Sequence, residues 1–413
     1  MVIYGPHDNA DYDEDLGPII VSDWYHSSYY SLVEQVMAPQ AEGLPPPASN
    51  NNLINGKMNF PCEQTNRSCT PNAGISKFKF QSGKRYRLRV INTSAEGIQK
   101  FSIDGYTFEV IANDFVPIKP YTTDLLTLGV GQRSDIVVHA TGKPGESVWM
   151  RSTLGKSALD GGCTLTDGIS PQAVAAIYYE NTNQTSVPKT TSQISEDRIL
   201  YCGNDPLDET VPYYSITPNP DPKVIHTINI TYGSNGTHEL FYMDNSTFRG
   251  DYNAPILLSA KVGKHDWDPG YNIYDCAGGT STRIILYNYA PTGAHPMHTH
   301  GHNVFVLAEG YGEWDGNVVN PENPQRRDTQ LLQNAKADGT PAYTVLQFTN
   351  DNPGESKLCR SLCYNFADVL PRLMAASLSH CMACVCWSVR YSVGATTVDY
   401  LFHEHSFKLS STV

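Results

Sequence analysis

The chain has 413 residues, with charged side chains at only 17%, 25 Tyr, 32 Gly, 27 Pro and a formal net charge of -13. At about 150 residues per domain this length gives two or three domains, and few charges with many aromatics and turn formers favour an all-β protein. The acidic balance repels phosphate backbones and argues against a nucleic-acid partner, and no apolar run reaches the length of a membrane span.

In chain order, residues 1–15 read as a strand end and an acidic turn. No basic, apolar leader opens the chain. Residues 18–25 read as a strand. Residues 39–75, rich in Pro, Asn and Ser, read as loop, with Cys62 and Cys69 placed to close a local disulfide. Strands follow at 77–80 and 85–91. Residues 101–111 read as a hairpin through Asp104-Gly105. Further strands fall at 125–130 and 135–139, and this regular spacing predicts a β-sandwich. Residues 155–220 are loop-rich, with one strand at 173–179. A second β series runs through 223–232, 283–287, 303–307 and 344–348, so two sandwich domains are expected to meet near residue 190.

After Gly354 the pattern breaks. Residues 355–413 have no regular strand spacing and contain Cys359, Cys363, Cys381, Cys384 and Cys386. A retained intron or shifted reading frame would account for the change. Earlier, sequons at Asn66, Asn92, Asn183, Asn229, Asn235 and Asn245 give the body a secreted, glycosylated character. Such a body without a leader predicts that an N-terminal segment is missing.

The sharpest chemical signal is His295-Pro296-Met297-His298-Thr299-His300-Gly301-His302. Alternate residues of a strand share a face, so His298, His300 and His302 are expected on one side, with His295 set apart by Pro296. Imidazole suits Cu, Zn, Fe or Ni, and the cluster predicts a metal before it predicts which one.

This stretch resembles the H-P-x-H-x-H-G-H motif of fungal laccase-like multicopper oxidases. Leu53-Ile54-Asn55-Gly56, the strand at 84–92, Gly131-Gln132-Arg133-Ser134-Asp135 and Asn323-Pro324-Gln325-Arg326-Arg327-Asp328-Thr329 resemble other segments of the same family, in the same order. The resemblance covers residues 1–354. It implies tandem cupredoxin-like Greek-key β-sandwiches: residues 1–15 as a remnant of a first domain, 16–190 as a second, 191–354 as an incomplete third and 355–413 as a divergent tail. It implies copper as cofactor. His295 matches a type 1 ligand, His298 a type 2 ligand and His300 a type 3 ligand, while His302 matches a position the family does not use. It implies a small phenolic or aromatic reductant, dioxygen as oxidant and secretion.

The sequence also departs from that pattern. No His-Cys-His tripeptide occurs, and His380-Cys381 is followed by Met382. His26 resembles part of a W-Y-H-S-H motif, but Ser28 stands where the second histidine belongs, and it is not expected to be a ligand. Asn50, Asn51 and Asn52 occupy the region where fungal laccases often carry an acidic residue that accepts a phenol proton. An amide there could still hydrogen-bond a phenol. The chain alone is therefore expected to be inactive. A non-catalytic, copper-binding or metal-free β-sandwich and a ferroxidase-type oxidase are the alternatives; for iron, Glu309, Glu313 and Asp315 would have to stand beside His295. A cupin would need a glutamate soon after the H-x-H pair, and Glu309 is too distant.

Overall fold

A computed structural model describes residues 2, 9–37, 47–155, 163–236, 239–248, 251, 253–254, 266–276, 279–291 and 293–351, with the backbone of 386–388. The predicted divergent tail at 355–413 lies outside the described residues apart from that short piece.

The first half holds β1 (Glu14–Trp24), α1 (Tyr29–Met37), β2 (Ser49–Ile54), β3 (Ser76–Lys79), β4 (Arg85–Asn92), β5 (Gln99–Ile103), β6 (Phe108–Asn113), β7 (Val116–Thr123), β8 (Leu126–Leu128), β9 (Arg133–His139), β10 (Ser147–Thr153), β11 (Thr166–Ser170) and β12 (Gln172–Tyr178). These form a seven-stranded sheet, β11-β2-β1-β4-β9-β6-β7, and a five-stranded sheet, β3-β12-β10-β5-β8. The second half, reached through α2 (Glu196–Leu200), holds β13 (Val224–Ser234), β14 (Glu239–Met243), β15 (Ile273–Asp275), β16 (Ser281–Asn288), β17 (His295–His298), β18 (Val304–Tyr311), β19 (Gln325–Arg327), β20 (Thr329–Leu332) and β21 (Ala342–Thr349). Its main sheet has six strands, β14-β13-β16-β21-β18-β19, and β17 pairs with β20 in a separate ribbon. The expected all-β class is what the structure shows. Parallel pairs β1/β4, β3/β12 and β13/β16 mark strands joined by crossovers rather than hairpins.

Alternation explains the first core. In β4, Tyr86, Leu88 and Val90 face a cluster that includes Ile19, Phe80, Phe101 and Phe108. The intervening Arg87 and Arg89 are also buried, because Asp135 and Asp15 neutralise them at 2.5 and 2.6 Å. Each large apolar side chain fully buried there contributes roughly 1.5–3 kcal/mol. The second core lies between the six-stranded sheet and the ribbon, where Met297 and Leu332 meet Ile228, Leu286, Val306 and Phe348.

Two sequence expectations fail. Residues 101–111 are not a hairpin: β5 pairs with β10 and β8, whereas β6 pairs with β7 and β9 in the other sheet. The Asp104-Gly105 turn therefore carries the chain between layers, with Gly105 at φ 78° and the Asp104 carboxylate held by Arg151 at 2.7 Å. Residues 49–54 are not loop but strand β2. Their amides find partners in the core: Asn52 Nδ2 donates to Gln99 Oε1 at 3.0 Å and to Ser152 O at 2.9 Å. Burial with every polar group satisfied overrides the turn preference of asparagine.

Candidate metal-binding site

Strand β17 ends at His298, and the chain turns at Gly301, whose φ of 75° suits glycine. The predicted three-histidine face is therefore shorter than expected. His298 and His300 meet edge to face with ring centroids 4.9 Å apart. His302 leaves them: its ring packs on Phe348 at 5.1 Å, and its Nε2 lies 3.7 Å from Asp351. His295 points to the opposite side of β17, 3% exposed, against Phe241 at 5.2 Å. The structure thus brings His298 and His300 together and keeps His295 apart from them.

His298 is held with a defined ring orientation. Its Nδ1 lies 2.8 Å from the Asp328 carbonyl oxygen and 3.2 Å from Thr329 Oγ1. A carbonyl only accepts, so Nδ1 carries the proton and Nε2 is the nitrogen with a lone pair to offer a metal. Burial opposes charge on Asp328, but Arg133 and His298 prevail and hold its carboxyl well below the usual carboxylate range.

His295 faces a small cavity lined by Glu96, Val130, Cys163, Ala294 and Pro296. Burial pushes the Glu96 carboxyl up to about 8, against hydrogen bonds from Leu165 N at 2.9 and 3.0 Å and with the help of Asp23. Cys163 is bonded to Cys202 and offers no thiolate; Cys62–Cys69 closes the local bridge expected from sequence. Nothing in the local sequence marked Glu96, which reaches this cavity from the loop between β4 and β5. The asparagines at 50–52 are spent elsewhere. Asn51 and Asn52 are buried, and Asn50 donates to Asp167 at 2.6 Å and accepts from His26 N at 2.8 Å. Glu309, considered beside the motif for iron, accepts from Gln330 at 2.7 Å and Asn204 at 2.8 Å instead.

The donor chemistry fits copper: paired imidazoles, one with its tautomer fixed by a carbonyl. The donor count falls short. Among the described residues no group of three His, Cys, Asp or Glu side chains converges to hold a metal ion.

Two family models described as multicopper oxidase match residues 15–169 and 223–358. Laccase-3 of Botryotinia fuckeliana is 31% identical over 86% of this chain and 76% of its own length. The chain belongs to the multicopper oxidases. Within them its relatives are fungal and laccase-like. Oxidoreductase OpS5 of Beauveria bassiana is 32% identical over 86% of this chain, and the matched region spans 58% of that relative. The crystal structure of the laccase from Botrytis aclada superimposes with a TM-score of 0.72 at 27% identity, covering 86% of this chain and 62% of that one. Fet3p, described as a multicopper oxidase that functions in iron import, shares the fold at TM-score 0.72 with 19% identity. These neighbours bear out the cupredoxin-like fold of this multicopper oxidase.

Proposed function

We propose that the protein is a laccase-like oxidase. In each step a phenolic or other small aromatic reductant gives up one electron and its hydroxyl proton, and dioxygen takes up electrons and protons to give water. The observation that carries this reading is the facing pair His298 and His300 with His298 Nδ1 committed to Asp328 O. Copper, bound at these two imidazoles and separately at His295, would supply the one-electron redox chemistry. The residues of this chain do the positioning: Asp328 fixes a tautomer, β20 carries the histidine strand, and Glu96 shares the His295 cavity. The same reading takes residues 16–190 and 191–354 as two cupredoxin domains. It also makes the protein secreted. Two disulfides and exposed sequons at Asn66, Asn183, Asn229, Asn235 and Asn245 support this. Asn92 is excluded as a glycan site, because it is buried and its Nδ2 donates to Gly97 O and Leu128 O at 2.8 Å.

The chain on its own binds copper through imidazoles without turning over. The short donor count among the described residues favours this, and it keeps a non-catalytic metal-binding β-sandwich as the second reading. The test is to load the full chain with Cu²⁺, record its visible spectrum and follow dioxygen uptake with a phenol. Weak absorption without a thiolate band, and no uptake by the chain alone, is the expected result. An intense blue band or catalytic uptake would overturn the inactivity, and failure to bind Cu²⁺ would overturn the metal site.

A further inference from the structure

We propose that Asp114, in the first half of the chain, is a positioning residue for His298: it locks the strand that holds the histidine and thereby sets which imidazole nitrogen faces the metal. This rests on the reading of His298 as a copper ligand.

Among the described residues the histidine strand β17 pairs with a single strand. It pairs with β20 in the register His298↔Thr329 and Pro296↔Leu331. Pro296 has no N–H, so Leu331 and, two residues back, Thr329 turn their backbone groups away from β17. Among the described residues no strand meets that outer edge. Side chains from the first half and the linker satisfy it group by group. Asp114 Oδ2 accepts from Asp328 N at 3.1 Å and Thr329 N at 3.2 Å. Gln132 Nε2 donates to Thr329 O at 3.0 Å. Asn204 accepts from Leu331 N at 3.0 Å and donates to Leu331 O at 2.9 Å, standing in for a missing strand.

Asp114 is the centre of this arrangement. It sits in the tight turn between β6 and β7 at φ 53°, with its side chain fully buried. Besides the two amides, it accepts from Arg327 Nε at 3.0 Å, Arg327 Nη2 at 3.1 Å and Arg133 N at 3.0 Å. The Arg133 guanidinium then grips Asp328 with two parallel bonds of 2.6 and 2.7 Å, its other face covered by Phe115 at 4.7 Å. Asp328 is the residue whose carbonyl accepts the hydrogen bond from His298 Nδ1. One carboxylate in the first half therefore fixes the Asp328 peptide from its N–H side, and the same residue's carbonyl fixes the histidine. Gln132-Arg133 and Arg327-Asp328, which lie in two of the segments that resemble family motifs, are in contact with one another's segments.

The experiment uses the full chain with histidine ¹⁵N-labelled. Long-range ¹H–¹⁵N spectra read the His298 tautomer, and chelator competition reads Cu²⁺ affinity. In the parent chain His298 carries its proton on Nδ1. Asp114→Asn is expected to mix the two tautomers and to weaken Cu²⁺ binding by about 10-fold or more. His298→Gln is expected to weaken binding as well and to make Asp114→Asn silent in its background. Arg133→Lys, which loses the fork to Asp328 but leaves Asp114 on Arg327, is the second variant should Asp114→Asn not fold; it is expected to move the tautomer in the same direction. An unchanged tautomer and affinity in the folded variants would overturn the proposal, as would an equal loss when His298 is already gone. An unchanged affinity in His298→Gln would instead remove the reading beneath it.

Discussion

The two halves of this chain bury their strands differently. Residues of β1 to β12 close a core between two sheets, and the strands at its centre have hydrogen-bonded neighbours on both sides. The second half has one six-stranded sheet faced by the two-stranded β17–β20 ribbon, whose outer edge is finished by side chains of the first half and of the linker. An isolated two-stranded ribbon is marginal in water. The lesson is that the segment carrying the site's histidines borrows its order from the other half, through contacts that are polar, directional and concentrated around Asp114.

Breaking that loan should have the largest effect. Asp114→Ala leaves Arg327, 3% exposed, without its carboxylate, and should cost about 3–5 kcal/mol of unfolding free energy. Hydrogen exchange measured with it should rise in β17, β20 and at the Arg133 amide that Asp114 holds, while β4 and the rest of β9 keep their protection. Equal loss in both halves would mean that the halves are not separable in this way.

A pH experiment sharpens the comparison. Burial pushes the Glu309 carboxyl up to about 7, against hydrogen bonds from Gln330 and Asn204, so folding favours its protonated form. That contribution is full below the ordinary value of 4.5 and is lost as pH rises through about 7. Relative to Glu309→Gln, the parent chain should gain about 1–3 kcal/mol on going from pH 8 to pH 5 in urea titrations. A difference that stays constant across this range would contradict the burial argument.

Gly129→Ala tests the apolar side of the junction. An added Cβ would stand 2.4 Å from Leu331 Cδ2, so Leu331 must shift within β20. The expected cost is about 1–3 kcal/mol in thermal or urea unfolding. At the small end, Asn245→Gln, in an exposed turn at φ 67°, should cost no more than about 1 kcal/mol, and the proposed secretion and glycosylation predict the loss of one glycan by mass. No mass change would remove Asn245 from the proposed glycan sites.

Much of the fold was legible because alternation is local. The Arg85–Asn92 strand announced itself by period two, and its Arg87 and Arg89 proved buried only because Asp15 and Asp135 come to them. The histidine motif was legible for the same local reason. What sequence could not show was where chain turns lead. Asp104-Gly105 has hairpin chemistry, yet Arg151 and two different sheets make it a crossing between layers. Three consecutive asparagines read as loop until Gln99 and Ser152, distant in sequence, supply their partners. Asp114 was invisible for the strongest reason: Arg327 lies 213 residues away, and nothing in its neighbourhood signals that contact.

The central proposal is that in this chain taken alone the neighbouring His298 and His300, which the resemblance assigns to a type 2 and a type 3 centre, share one added copper ion, each through a ring nitrogen. Pulsed electron paramagnetic resonance of the Cu²⁺-loaded full chain, with and without His298→Gln and His300→Gln, tests it most directly. Modulation from two imidazoles in the parent, falling to one in either variant, is the predicted result. Identical modulation in all three proteins would contradict it.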